Sequence, residues 1–362
     1  MKLGNDSSVT IENNGNNQGM MAGPNYGFMT QNQYGLGYSD TKDLCLDIVR
    51  DELSKYHAEA LIEAKKRNEE LFESVMQKLE DKQMNDSQAL AEFRNPAMQF
   101  DYLEAQKAYM KVGTPELAEM LSNILVERIS ESSRSLLQIA LGEAIQVAPK
   151  LIPSQMATLA LTFVLGYTRS VVVNSHQSFS EYLKNNIILL FDSGISKKES
   201  EFQHLNFTGC SQQSALERSL IKLLKRAYPG IFMKGFAIDE IPKAKNGDSL
   251  FDLYPLFVPC LNNKSKFQIN TITEEVLSRQ IQKMSIPLED ANLLKRLFSE
   301  NLLPDYEAQE LVKRLVPKMK EVFKYWDEGE IKHCFLSSVG IVIGAEYAHQ
   351  IIGENYNLKI WI

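Results

Sequence analysis

Histidine and tryptophan are scarce in this chain of 362 residues, with five and two copies. The four cysteines, Cys45, Cys210, Cys260 and Cys334, are never paired at short spacing. No Cys-x-x-Cys, His-x-x-x-His or His-Glu-x-x-His occurs, so no metal site is expected. His333 and Cys334 are neighbours in a predicted strand, where adjacent side chains face opposite sides and cannot easily share an ion. A Gly-x-Ser-x-Gly elbow is missing, and with it the simplest signal of an activated serine. Neither phosphate-cradling pattern, G-x-x-x-x-G-K-[ST] or G-x-G-x-x-G, is present. No catalytic residue and no cofactor is therefore assigned, and the chain reads as non-enzymatic.

Long apolar runs are missing too. The nearest are Leu151–Tyr167, interrupted by Pro153, Ser154 and Gln155, and Phe335–Ala345. Both fall short of the roughly 18 residues that a membrane helix needs, so no integral membrane segment is expected. A basic n-region followed by an apolar stretch is not found at the N-terminus, which argues against secretion and for reduced thiols in a cytoplasmic protein. Cations are outnumbered as well. Lys plus Arg is 39 against 46 for Asp plus Glu, a net charge of −7. That is a poor starting point for non-specific nucleic-acid binding.

What is present begins with an unusual first tenth. Residues 1–38 hold 7 of the 19 glycines and 7 asparagines. Val9 and Ile11 alternate with polar neighbours, which suits a short strand. Asn13, Asn14, Asn16 and Asn17 follow, then Tyr26 and Phe28 among Gly and Asn. One reading is a flexible tail with too few aliphatic groups to order it. The other is a self-associating segment, because amide side chains stack in ladders between identical chains.

Asp40 is then a candidate N-cap for a long helix over Thr41–Gln83, where no Gly or Pro intervenes. Its narrow apolar stripe, which starts at Leu44 and Ile48, requires a partner inside the chain or in a second copy, as in a coiled coil. Asn95-Pro96 and Thr114-Pro115-Glu116 open two further helices. Leu136–Val147, a segment capped by Ser154, and Phe179–Phe191 follow, while Lys197–Gly209 reads as a polar loop. Ser214–Tyr228 is a predicted amphipathic helix, with Leu216, Leu220 and Leu224 opposite Lys222, Lys225 and Arg226. Residues 229–270 suggest irregular structure with a small sheet. Helices are expected again at Thr273–Lys283, Leu288–Glu300 and Asp305–Asp327, then a strand–helix–strand tail (Lys332–Leu336, Val339–Ile352, Asn357–Ile362). Gly340, Gly344 and Ala348 recur every four residues, a spacing for close helix packing.

The expected fold class is mainly α, with a long N-terminal helix, a helical bundle and a small C-terminal α+β module of winged-helix-like order. The divisions are 1–38 (low complexity), 39–94 (long helix), 95–194 (bundle) and 195–362 (α+β region).

Several segments also carry a resemblance. They are Gly35–Asp40, Asn95–Gln99, Glu104–Tyr109, Arg134–Ile139, Glu143–Leu151, Leu336–Gly340 and the terminal Leu358-Lys359-Ile360-Trp361-Ile362. Together they resemble an uncharacterised family of bacterial cytosolic proteins found beside mobile elements and phage-defence genes. Its members start with an Asn/Gln/Gly-rich segment that leads into a long helix. The resemblance implies a setting in anti-phage defence, with a phage or host protein as trigger, and carries over no catalytic residue.

Two functions follow as expectations. The first is a non-enzymatic, self-assembling interaction protein, with Val9, Ile11, Asn13, Asn14, Asn16, Asn17, Tyr26, Phe28, Leu44 and Ile48 as candidate homo-oligomer contacts. The second is a nucleic-acid-binding regulator, with Lys222, Lys225, Arg226, Lys313 and Arg314 as candidate contacts. An enzyme or a membrane-acting effector without a readable motif stays open beside them.

Overall fold

The computed structural model describes residues 43, 46–47, 58–82, 91–131, 134–245 and 247–362. The N-terminal candidates Val9 to Phe28, together with Leu44 and Ile48, lie outside these residues.

Helices dominate, as the sequence pattern predicts. Helix α1 (Ala58–Asp81) buries Leu71, Phe72, Val75 and Leu79 along one stripe. Its partner is intrachain: α2 (Pro96–Val112) and α3 (Pro115–Ser130) pack against it. This stretch of the helix therefore needs no second copy. Lys78 pairs with Glu119 of α3 at 2.6 Å, and Lys82 pairs with Glu127. Asn95 caps α2 by accepting the N–H of Ala97, with Pro96 at the first helical position. Ser135 does the same for α4 (Leu136–Val147) through the N–H of Gln138.

The apolar helix α5 (Pro153–Tyr167) starts two residues earlier than a cap at Ser154 would place it. Pro153 fills the first position, and Gln155, not Ser154, reaches back to the N–H of Ile152 at 3.1 Å. Proline fixes the helical φ and has no N–H to satisfy, so it sets the start. Next come α6 (His176–Tyr182), a π-helical stretch over Leu183–Ile188 and α7 (Leu189–Asp192). The expected loop at 197–209 contains a helix instead, α8 (Glu199–Phe207), held down by Phe202 and Leu205.

After β1 (Ser211–Gln213), α9 begins only at Leu220 and ends at Ala227. Residues 214–218 are drawn out of the helix by the segment that precedes Cys334: the N–H groups of Ser214 and Arg218 donate to the carbonyls of His333 and Lys332. Leu216 is consequently 71% exposed, not on the apolar face. Residues 233–302 build a second, smaller core from α10 (Leu250–Leu253), β2 (Phe257–Pro259), β3 (Phe267–Ile269), α11 (Glu274–Lys283) and α12 (Leu288–Glu300). Phe236, Leu250, Ile269, Leu277 and Phe298 fill it. The chain enters and leaves this core side by side. Met233 bridges Leu302 in antiparallel fashion, and Leu303 N–H donates to Phe232 O at 2.7 Å.

The single helix expected at 305–327 is two, α13 (Asp305–Leu315) and α14 (Met319–Glu328), parted at Pro317, which cannot donate to the ladder. Trp326 of α14 is fully buried. Then β4 (Cys334–Leu336) pairs with β1, Gln212 opposite Phe335, before α15 (Ser338–Ile352). The strand expected at 357–362 is a 3-10 turn over Leu358–Ile360. Its aromatic end packs inward: Trp361 donates to the Tyr167 carbonyl at 2.9 Å and lies 5.0 Å from the Phe163 ring.

The small-residue stripe of α15 is a packing device. A methyl on Gly344 would sit 2.8 Å from the Leu159 carbonyl oxygen, and one on Gly340 would overlap that of Cys210. These close approaches let α15 lie in the core against α5, its main partner. Among the described residues no helix is long and apolar enough to cross a membrane.

Candidate functional site

The helix α9 has one of the sharpest divisions of character in the chain. Leu220, Ile221 and Leu224 are buried in the main core, which turns Lys222 and Arg226, one turn apart, outward. They face a cleft of about 480 Å³ between the two cores. Arg169, Lys222, Lys225, Arg226 and Asp305 come from the main body. Thr273, Glu274, Glu275, Phe298, Ser299 and Leu302 form the wall of the smaller core.

Two of the four cations are committed to structure. Lys225 donates to the Leu303 carbonyl at 2.7 Å and to Asp305 at 2.6 Å, which fixes the start of α13 beside the end of α9. Arg169 reaches across the seam to Glu275 at 2.7 Å. That guanidinium, first by its hydrogen bond, holds the Glu275 carboxyl below the usual range. Lys222 and Arg226 have no carboxylate within ion-pair distance among the described residues. Glu274 is the lining carboxylate without a cation partner on the same terms. The cleft thus has four cations against three carboxylates, a local excess of one positive charge in a chain that is acidic overall. Thr273 adds polarity by capping α11 through the N–H of Val276.

The structure brings Lys222, Lys225 and Arg226 together in this site, as the helix pattern predicts. It does not bring Lys313 and Arg314 there. Lys313 pairs with Glu310 at 3.1 Å and stands 5.9 Å from the Phe323 ring. Arg314 is close to His176, whose pKa is lowered by burial and then by that charge. Arg169, Thr273 and Ser299 complete the cleft from distant segments, and no local pattern marks them. Among the described residues no group of three or more His, Cys, Asp or Glu is placed to hold a metal ion.

One family model, described only as ":-like", matches residues 35–362. No curated protein matches this chain, and no solved structure does.

Proposed function

We propose, for a chain that belongs over residues 35–362 to the family described as ":-like", that it is a binding protein which takes an anionic ligand in the cleft beside α9. The observation that supports this most is the pair Lys222 and Arg226. They are presented by a rigid helix into a concavity and lack carboxylate partners among the described residues. Ionised side chains in a partly enclosed site attract charge of the opposite sign more strongly than on an open face. A nucleic-acid backbone and a compact phosphate group share this chemistry.

Fluorescence anisotropy with a labelled DNA oligonucleotide, competed with inorganic pyrophosphate, tests it. Binding is expected at about 50 mM salt and should fall steeply by about 200 mM. The double variant Lys222→Glu, Arg226→Glu should lose at least tenfold in affinity. Absence of binding at low salt, or binding that the double variant leaves intact, overturns the reading.

A second reading, self-assembly through residues 1–38, is favoured by their seven asparagines and seven glycines. It fits the phage-defence setting that the family resemblance implies. Mass photometry of the full chain beside the 39–362 truncation tests it. A smaller assembly for the truncation is expected, and equal masses reject the idea.

A further inference from the structure

A separate concavity opens beside the C-terminal end of α1. One part, of about 180 Å³, is lined by Lys78, Asp81, Lys82, Asn123, Glu127 and Glu346 among others. An adjoining recess of about 50 Å³ is walled by Ile124, Leu141, Val342 and Leu358. Glu346 and His349 of α15 line both parts. The Glu346 carboxyl therefore stands where a polar mouth meets an apolar wall.

Among the described residues this carboxyl forms no ion pair. It accepts a hydrogen bond from the Asn123 amide. No cation lies within ion-pair distance of it among the described residues. The two lysines at the mouth are engaged elsewhere, Lys78 with Glu119 at 2.6 Å and Lys82 with Glu127. From α1 it is also faced by Asp81, from α3 by Glu119 and Glu127, and from its own helix by His349. A largely buried carboxylate with one amide donor is under-compensated, so it holds a proton or recruits a cation. Burial pushes the Glu346 carboxyl up to about 7. The Asn123 bond and Lys78 act against that rise, and Glu119 and Glu127 add to it. A hard metal ion is a poor match, because it seeks six or more oxygens. The wall of Ile124, Leu141 and Val342 suits a carbon chain better.

We propose that this pocket binds an alkylammonium group, free or at the end of a lysine side chain, with Glu346 receiving the ammonium and the apolar recess receiving the chain. It is independent of the anion-binding cleft, which lies on other elements. Binding displaces a proton from Glu346, and Asp81 adds negative charge at the mouth.

Isothermal titration calorimetry of the full chain tests this with two probes, n-butylamine and Nα-acetyl-lysinamide, at pH 6 and pH 8. An ammonium stays charged at both pH values, whereas the ionised fraction of Glu346 rises about tenfold between them. Apparent affinity is therefore expected to be about tenfold higher at pH 8. The variant Glu346→Gln keeps the shape and can still accept from Asn123, and should abolish binding. Binding of n-butylamine alone assigns a free amine, and binding of the lysine derivative assigns a protein side chain. The proposal is overturned if neither probe binds at pH 8, if affinity does not change with pH, or if a folded Glu346→Gln protein binds as the wild type does. Should that variant not fold, the pH dependence of the wild type decides alone.

Discussion

Arg128 is 2% exposed and meets Asp101 at 2.9 Å and Glu92 at 3.9 Å. Burial is the largest influence on Asp101 and raises its pKa, while Arg128 opposes that rise. Truncating one partner of such a group leaves an uncompensated buried charge, at a cost of about 3–5 kcal/mol. Arg128→Ala is expected to lose that much at pH 8 in urea denaturation, and less at pH 5, where Asp101 can take up a proton. Burial raises the Glu346 carboxyl too. Its folded pKa, about 7, lies above the ordinary 4.5, so the folded state holds the proton more tightly. Stability from this group is full below pH 4.5 and is lost as the pH rises to 7. Glu346→Gln should therefore match the wild type near pH 4.5 and exceed it by up to about 3 kcal/mol at pH 8. Neither residue's role can be read in the sequence. The neighbours that matter to Arg128 and Glu346 come from other segments of the chain.

Elements were legible where a local device fixes them. Asn95 caps α2 with its side chain accepting a backbone N–H, and Pro96 fills the first helical position. Gly353 closes α15 in the left-handed region, at φ 72°. Elements set by tertiary contacts were not legible. Only Phe202 and Leu205 of α8 are buried, too few to show a period. The last six residues alternate like a strand, yet Trp361 finds its partner in α5. Gly340→Ala should destabilise the protein by about 3 kcal/mol, since the added methyl meets a backbone carbonyl that cannot move aside. Leu71→Ala in α1, at a site with no exposed surface, should cost about 2–5 kcal/mol. Thermal melts of both variants check these values.

Across the whole molecule, the sequence shows half of the candidate cleft. Lys222, Lys225 and Arg226 stand out on α9 because one helix carries them. The opposing wall belongs to α11 and α12, and Arg169 to the turn after α5, so only the fold assembles it. The charge balance gives a further prediction at this scale. Glu274→Gln should tighten anion binding, because it removes the lining carboxylate that has no cation partner among the described residues. Anisotropy with the same oligonucleotide reads the change, and weaker binding would contradict the charge argument.

The paired strands of chain at Phe232–Met233 and Leu302–Leu303 have a consequence for folding and for engineering. They make residues 233–302 a cassette whose ends are already neighbours. The main core can close only by bringing α9 to α13 across that whole cassette, and loop-closure entropy grows with the length spanned. If the cassette folds first, it shortens the loop and speeds closure of the larger body. Replacing it with a short glycine-rich bridge should then preserve the main core's cooperative melt while removing one wall of the cleft.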